Sequence, residues 1–175
     1  MARLLIELGA LKLTPRSGWF KVGIKLPESV AEHSFRTAVI AYTLARMDGI
    51  DPVISGAVAF LALLHDSHEA RTLDLHKVAR RYARVREEEA RKEQLEPLQI
   101  EELLERVRSK VENIEDYIKD ADRIEITLQA REYAQITELA EEFMADAEEM
   151  RTRAGKILFK AIKDTDLRWW NIESE

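Results

Sequence analysis

The chain has 175 residues, a mass of 20.2 kDa and a net charge of −6. This length predicts one domain with a substantial core. The absence of cysteine excludes a disulfide framework, a thiolate metal site and a cysteine nucleophile. Because binding to a phosphate backbone requires clustered positive charge, the acidic balance argues against nucleic acid as a partner. The longest apolar run, residues 57–64, is too short to span a bilayer, so we expect a cytoplasmic protein with no membrane partner.

The spacing of apolar residues is helical from the beginning of the chain. It predicts a short amphipathic helix over residues 2–12, which the TPRSG stretch at 14–18 ends. Ser29 and Glu32 have the spacing of a capping box, in which each residue satisfies a backbone donor of the other. They predict the start of a second helix.

The rest of the chain continues this helical pattern. Asp51-Pro52 predicts a helix start, and residues 53–64 are apolar on every side, which predicts burial all round. The charged stretch 77–105 predicts a solvated helix pair or a mobile lid. Residues 114–133 read as a further helix, and 137–164 as one long amphipathic helix. We therefore expect one all-α bundle of about six or seven helices.

Several polar residues with metal-binding side chains fall on faces that should be buried. His33 points into the predicted core, and His65-Asp66 ends the most apolar helix, where a carboxylate must be paired or ligated. Asp122 lies beside the buried stripe of the next long helix, and Glu69 shares one side with His65. Two imidazoles and two carboxylates suit one zinc, manganese, cobalt, nickel or iron ion better than calcium, and magnesium stays open.

Each candidate also has a purely structural interpretation. A single buried histidine is usually a hydrogen-bonded core residue, and Asp122 alone could pair with Arg123 or Arg131. Three further polar residues are expected at the surface, namely Asp120, His68 and His76. The metal site is favoured because four candidates fall together on the buried sides of separate segments.

Three motifs follow one another along the chain: SVAEHS at 29–34, HDSHEA at 65–70 and DAD at 120–122. In order and spacing they resemble the H…HD…D pattern of the HD-domain phosphohydrolases. The LKLTPRSGW stretch at 11–19 and the PESV stretch at 27–30 are similar to the 5'-deoxynucleotidase branch of that superfamily. The likeness covers most of residues 5–135.

This resemblance implies an all-α HD-domain homodimer that binds a divalent metal ion. The implied reaction is hydrolysis of deoxyribonucleoside 5'-monophosphates to deoxynucleosides and phosphate. By position, the implied metal ligands are His33, His65, Asp66 and Asp122. The resemblance implies that Glu69 orients or activates the attacking water and that Arg16 contacts the substrate phosphate. It places Trp19 by the sugar and Asp74 near the 3' side of the deoxyribose.

Two positions depart from the pattern of the branch. Leu73 stands where glycine is common, and His76 where proline or threonine is usual. Both lie on the substrate side, so they leave the choice between deoxy- and ribonucleotides open. Two other functions stay open, an HD reaction on another nucleotide or small phosphoester, phosphodiesters included, and a non-catalytic metal-binding helical module. Phosphodiesterases of the superfamily often hold two metals, and only His68 and His76 remain as further histidines.

Overall fold

The computed structural model describes residues 1–170 and consists of α-helices joined by 3-10 turns. Eight α-helices occur in this range: α1 Ala2–Leu8, α2 Val30–Met47, α3 Pro52–Leu63, α4 Glu69–Thr72, α5 Glu87–Leu95, α6 Ile100–Arg108, α7 Ile114–Ala134 and α8 Arg153–Asp164. The 3-10 helices of this range are Gly9–Lys12, Ser17–Val22, Ala79–Arg81, Glu96–Leu98, Glu138–Phe143 and Ala147–Glu149. The only β-pairing within residues 1–170 is an isolated bridge between Pro15 and Ser29. The all-α prediction is confirmed, with slightly more helices than expected.

Two helices begin at the predicted caps. At the start of α2, Ser29 N donates to Glu32 Oε2 at 2.6 Å, and Glu32 N donates to Ser29 Oγ at 3.2 Å. At the start of α3, Val53 N donates to Asp51 Oδ1 at 2.8 Å. These side chains satisfy backbone donors that a helix leaves free at its N-terminus. Both predicted helix starts are confirmed.

The core lies where α2, α3 and α7 meet. Leu44 and Ala45 of α2, Val58 of α3, and Ala121 and Ile124 of α7 are completely buried and belong to one apolar cluster. Protein cores are close-packed, so helices joined in this way have fixed relative positions. The polar residues that these three helices carry are therefore held at defined distances from one another.

The expectation that the apolar helix is buried all round is wrong. Val53, Phe60 and Leu63 lie on one side of α3 and expose 79%, 40% and 38% of their surface. The neighbours α2, α6 and α7 cover the other sides of α3, and uniform apolar composition does not indicate which side stays open. No helix in the part of the chain that the structure describes is long and apolar enough to cross a membrane.

Residues 137–164 do not form the single long helix that their periodicity predicted. The chain instead forms two 3-10 turns and then α8, with extended backbone between these elements. Asp146 forms a capping box with Glu149, and Gly155 N donates to Thr152 Oγ1 at 2.8 Å. Side-chain acceptors of this kind compete with helical hydrogen bonds and begin new helical turns.

Asp120 is completely buried and does not point toward solvent as expected. Its carboxylate accepts hydrogen bonds from Arg151 N at 3.0 Å, from Thr152 N at 2.8 Å and from Thr152 Oγ1 at 2.8 Å. The segment before α8 therefore folds back onto α7 and covers this carboxylate. The prediction failed because the periodicity of one helix does not show which distant segment covers its other side.

The charged stretch 77–105 contains an exposed part and an anchored part. Residues 77–86 are mostly exposed, whereas α5 ends at the buried Leu95. Just beyond the stretch, α6 carries the buried Val107 into the main core. The helices of this stretch are thus not fully solvated, and the exposed residues 77–86 are the part that retains the features of a lid.

Candidate active site

The four predicted metal ligands come together where α2, α3 and α7 meet. His33 lies on α2, Asp122 on α7, and His65 and Asp66 in the turn that follows α3. His33 Nε2 is 3.2 Å from Asp122 Oδ1 and 3.7 Å from Asp66 Oδ2. His65 Nε2 is 3.2 Å from Asp66 Oδ2 and 3.9 Å from Asp122 Oδ1. Two imidazole nitrogens and two carboxylate oxygens thus face one another, as the ligands of one ion would.

Both imidazoles are oriented by a partner on the opposite ring nitrogen. His33 Nδ1 lies 2.5 Å from Glu125 Oε2, and His65 Nδ1 lies 2.6 Å from Ala62 O. Each Nε2 is buried and has no hydrogen-bond partner among residues 1–170. An unpartnered buried nitrogen is unfavourable unless another group binds it. The residues therefore fit a divalent ion, because histidine ligands commonly use one nitrogen for the metal and the other for an orienting acceptor.

A second cluster on the far side of His33 fits an ion less well. Glu28, His33 and Glu125 place one ligand atom each within 4.8 Å of one another. However, His33 Nδ1 is already taken by Glu125, and Glu28 Oε1 accepts a hydrogen bond from Trp19 Nε1 at 3.0 Å. The candidate metal site therefore lies on the Nε2 side of His33, where the ring nitrogen has no hydrogen-bond partner among the residues described.

The charges of the site match a cation-binding role. Burial acts to lower the pKa of His33, but the neighbouring carboxylates of Asp122 and Glu125 outweigh it and raise that pKa to about 9. Burial acts to raise the pKa of Asp66, but the neighbouring imidazoles and Arg16 hold it well below its usual range. The pKa of Asp122 is also lowered, because His33 outweighs burial. Both carboxylates are thus ionised, and a bound ion would displace a proton from His33.

Arg16 connects the candidate metal ligands to Asp74. Its Nη1 lies 3.0 Å from Asp66 Oδ2, and its Nε lies 3.8 Å from Asp74 Oδ2. Asp74 Oδ2 also accepts a hydrogen bond from Ser17 N at 2.9 Å. Burial acts to lower the pKa of Arg16, but the surrounding carboxylates, Asp66 first, raise it further above its usual value. The guanidinium is therefore a fixed positive charge beside the candidate metal site.

Glu69 lies at the start of α4 and is 1% exposed. Burial, followed by the charges of Asp66 and Asp74, raises the pKa of Glu69 to about 8. Its Oε2 has no hydrogen-bond partner among the residues described. A carboxyl group with a pKa near neutrality can exchange protons at physiological pH, as a general base must.

Trp19 is 3% exposed and forms one wall of the site. Its ring packs edge-on against Tyr133, with ring centroids 5.1 Å apart, and tilted against Phe143, at 4.8 Å. With its Nε1 bonded to Glu28, the indole has a fixed orientation. Such a ring offers a rigid apolar surface to a ligand.

These side chains open onto a cavity of about 300 Å³. Seven of the eight predicted site residues line it, namely Arg16, Trp19, His65, Asp66, Glu69, Asp74 and Asp122. His33 is completely buried behind this layer. A larger groove of about 740 Å³, which includes Lys12 and Phe35, is lined by none of the predicted site residues. The smaller cavity is therefore the candidate active site.

The sequence did not identify every residue that supports this site. Glu125, which orients His33, is completely buried and also accepts hydrogen bonds from Arg36. His68 was expected at the surface but is buried, with both ring nitrogens unpartnered in residues 1–170, and burial lowers its pKa. His76 is half-buried and lines the cavity. The sequence feature that could have identified Glu125 is its position, as a carboxylate, on the buried stripe of the helix predicted over residues 114–133.

Leu73, the first departure from the branch pattern, has an unusual backbone conformation. Its φ is 61° and its ψ is 160°, a region that is essentially restricted to glycine. Leu73 directly precedes Asp74, so this turn presents Asp74 to the cavity. Glycine would adopt the conformation without steric conflict.

Comparison with known proteins identifies the family. The family model described as HD domain matches residues 8–165. The chain is 33% identical to 5'-deoxynucleotidase HDDC2 of Mus musculus over 142 residues, which cover 76% of this chain and 69% of the relative. It is also 33% identical to HDDC2 of Homo sapiens over 135 residues, which cover 72% of this chain and 64% of the relative. The chain thus spans about two thirds of the length of these relatives.

A solved structure extends this similarity over almost the whole chain. The protein described as genomics APC5600 is 44% identical to this chain and superposes with a TM-score of 0.82, covering 97% of both chains. The AF1432 protein of Archaeoglobus fulgidus is 37% identical, with a TM-score of 0.68 and the same coverage. The chain therefore belongs to the HD domain family, near its 5'-deoxynucleotidase branch, and is an enzyme of the phosphohydrolase class.

Proposed function

We propose that this protein is a metal-dependent phosphomonoesterase that hydrolyses deoxyribonucleoside 5'-monophosphates to deoxynucleosides and phosphate. The observation that carries the proposal is the pair of unpartnered His Nε2 atoms facing two ionised carboxylates beside a buried guanidinium. The names of the mouse and human relatives support the same substrate class.

In this proposal, the ion is held by His33, His65, Asp66 and Asp122. A divalent ion bound there supplies a Lewis acid for the phosphoryl oxygens and favours ionisation of water. Three of the four, His65, Asp66 and Asp122, line the cavity, so an ion bound there would be accessible to a ligand in the cavity. The set fits zinc, manganese, cobalt, nickel, iron or magnesium, and it lacks the many oxygen ligands that calcium prefers.

Arg16 binds the phosphate of the substrate. Its guanidinium already lies beside Asp66, so a phosphate bound to the guanidinium would lie next to the candidate metal ligands. Arginine presents two parallel donors, which fit two oxygens of a phosphate group. Because the ester becomes more negative at its leaving oxygen during hydrolysis, a fixed cation here also stabilises the transition state.

Glu69 accepts a proton from the attacking water. The water oxygen forms a bond to phosphorus as the bond from phosphorus to the 5'-oxygen breaks, and the leaving oxygen takes a proton from water or a neighbouring acid. Glu69 suits this role because it is buried, faces the cavity and has one free carboxylate oxygen. A general base needs an acceptor within reach of the water whose proton it removes.

Trp19 and Asp74 contact the sugar. The fixed indole packs against the C2' side and leaves no room for a 2'-hydroxyl, and Asp74 accepts a hydrogen bond from the 3'-hydroxyl. Both residues line the cavity, and Asp74 Oδ2 lies 3.8 Å from Arg16 Nε. Apolar packing alone discriminates weakly against an added hydroxyl, so the preference for deoxy substrates should be moderate, about 100-fold or less.

Phosphate release from matched deoxy- and ribonucleoside 5'-monophosphates tests this proposal. Each of the six metals is supplied in turn to the metal-free protein, with Asp66→Ala as the control. We expect metal-dependent release that prefers the deoxy series and is abolished in the control. Equal release from both series would remove the sugar roles of Trp19 and Asp74. Full activity of Asp66→Ala, or no release with any metal, would refute the phosphomonoesterase.

We also propose that the enzyme is a homodimer formed through the exposed apolar side of α2 and α3. Phe35 and Val39 of α2 expose more than half of their surface, and Phe60 of α3 is exposed as well. Exposed apolar side chains on neighbouring helices are candidates for such an interface. Sedimentation of the wild type should give a dimer and that of Val39→Glu a monomer. A monomeric wild type would refute this arrangement.

We further propose that residues 1–175 act as one domain and that the exposed part of the 77–105 stretch covers bound substrate. The many arginines of residues 77–86 make this segment a substrate for trypsin. Metal together with a deoxynucleoside monophosphate should slow cleavage there. Cleavage at the same rate with and without these ligands would exclude the lid.

A further inference from the structure

Positive charge is concentrated beside the candidate active site. Residues 77–86 contain five basic side chains and no carboxylate, in a chain whose net charge is −6. The five are Lys77, Arg80, Arg81, Arg84 and Arg86. A local cluster of one sign attracts ligands of the opposite sign even when the whole protein has the same sign as the ligand.

Two of these cations line the cavity itself. Lys77 and Arg80 share it with the candidate metal ligands, and Lys21 lines it from the Ser17–Val22 turn. Arg80 Nη1 pairs with Glu87 Oε1 at 2.8 Å, and Arg80 Nη2 is 4.0 Å from Glu69 Oε1, whereas neither lysine pairs with a carboxylate in residues 1–170. The cavity thus contains cations beyond the one that the proposed function uses.

Hydrogen bonds hold the start of this basic segment. Arg80 Nε donates to Leu75 O at 2.7 Å, and Ala79 N donates to His76 Nδ1 at 3.1 Å. His76 N in turn donates to Ser17 Oγ at 2.9 Å. The start of the segment, up to Arg80, is therefore tied to the wall of the cavity.

The depth of these cations in the cavity separates them from Arg16. The Arg16 side chain is 15% exposed and lies against Asp66, whereas the Arg80 side chain is 47% exposed and lies toward the mouth. The proposed function places the phosphate that is hydrolysed at Arg16. That phosphate leaves Lys21 and Lys77 available for another anionic group, while Arg80 is shared with Glu87.

We propose that Lys21, Lys77 and Arg80 form a second anion subsite, which binds a further phosphate group of the same nucleotide. This inference rests on the proposed function, because it takes the first phosphate to lie at Arg16. The preferred ligands are then nucleotides with two phosphate groups, in which the second is either a 3'-phosphate or part of a 5'-diphosphate. Ammonium and guanidinium groups bind phosphate through charge-assisted hydrogen bonds.

Calorimetric binding to the metal-loaded protein tests the subsite without hydrolysis. All variants carry Glu69→Gln, and the ligands are deoxyadenosine 5'-monophosphate, 3',5'-bisphosphate and 5'-diphosphate. The test variant adds Lys77→Gln and Arg80→Gln. The matched control adds Arg84→Gln, which removes one cation of the same segment that is exposed and does not line the cavity. Circular dichroism verifies that each variant is folded.

We expect at least one two-phosphate ligand to bind about tenfold or more tightly than the monophosphate, since a hydrogen bond to a charged group contributes about that factor. The test variant should lose this ratio, and the control should keep it. The arm that binds more tightly identifies whether the second phosphate is 3' or 5'. Equal affinity for all three ligands, or a ratio that the test variant keeps, would overturn the subsite.

Hydrolysis assays on the chain with native Glu69 separate this inference from the proposed function. Release of phosphate from the monophosphate without tighter binding of either two-phosphate ligand would support the proposed function and refute the subsite. Tight binding and hydrolysis of a two-phosphate nucleotide, with no turnover of the monophosphate, would support the subsite and refute the monophosphate substrate.

Discussion

The Glu125→Gln substitution tests how the metal site is held. The Glu125 carboxylate lies between His33 Nδ1, 2.5 Å from its Oε2, and the Arg36 guanidinium, whose Nε and Nη2 lie 3.0 and 2.8 Å from its Oε1. Glutamine has the same shape but presents only one oxygen. Either His33 loses the acceptor that fixes its orientation, or Arg36 faces an amide NH2 group. Since Glu125 is completely buried, water cannot replace the lost acceptor.

We expect the affinity for a divalent ion to fall by about 10- to 100-fold, as is typical when the orienting partner of a ligating histidine is removed. This range corresponds to about 1.4–2.7 kcal/mol of binding free energy. The full burial of Glu125 and the short contact to His33 favour the upper part of the range. Titration of the metal-free protein with cobalt or zinc by calorimetry measures the affinity, with a competing chelator where binding is tight.

Glu132→Gln is the matched control for this substitution. Glu132 also pairs with Arg36, at 2.5 Å, but it is 42% exposed and bonds Arg36, not His33. We expect the metal affinity of this control to equal that of the wild type. Unchanged affinity in Glu125→Gln would refute the orienting role. An equal loss in both variants would assign the effect to Arg36 and its position.

Three substitutions test other features, each by urea unfolding. Leu73→Gly should stabilise the protein by about 1 kcal/mol. A residue other than glycine in this conformation costs about 1–3 kcal/mol, and the greater freedom of glycine in the unfolded chain offsets part of the gain. The control Thr72→Gly, within α4, should destabilise the protein, and equal effects of the two substitutions would contradict strain at Leu73. Asp120→Asn should lower the free energy of unfolding by about 1–3 kcal/mol, because its amide NH2 group would face N–H and O–H donors that now donate to the carboxylate. Unchanged stability would contradict the role of Asp120 in anchoring the segment before α8. Burial, followed by the charge of Glu125, raises the pKa of Glu28 from 4.5 to about 7. The folded protein thus favours protonated Glu28, whose contribution is complete below pH 4.5 and is lost as the pH rises through about 7. Glu28→Gln should remove this loss, and a parallel decline in both proteins would contradict the assignment.

The sequence predicted those helices whose ends and faces are determined locally. The capping box at Ser29 and the Asp51 cap were readable because each lies within four residues of the donors that it satisfies. The 137–164 segment failed for a non-local reason. Its backbone is held by the Asp120 carboxylate, which lies 31 and 32 residues away from the donors at Arg151 and Thr152. Periodicity within a segment carries no information about such a contact.

The same distinction applies to the candidate site. The residues of the HD pattern were identified by type and spacing, and the structure brings them together. The residues behind them were missed, because Glu125 reaches His33 across 92 residues of sequence. His68 was placed at the surface because sequence alone does not show that Glu87 of α5 lies 4.0 Å from its Nε2.

The two histidine ligands are oriented by different means, and this difference has a consequence for assembly of the site. His65 uses the Ala62 carbonyl, which lies in the last turn of α3 and also accepts a hydrogen bond from His65 N at 3.3 Å. The helix end that presents Asp66 therefore also supplies the acceptor that turns His65 toward it. His33 instead depends on Glu125 of α7. One half of the site can thus form within a single turn of chain, whereas the other half forms only when α7 has docked onto α2.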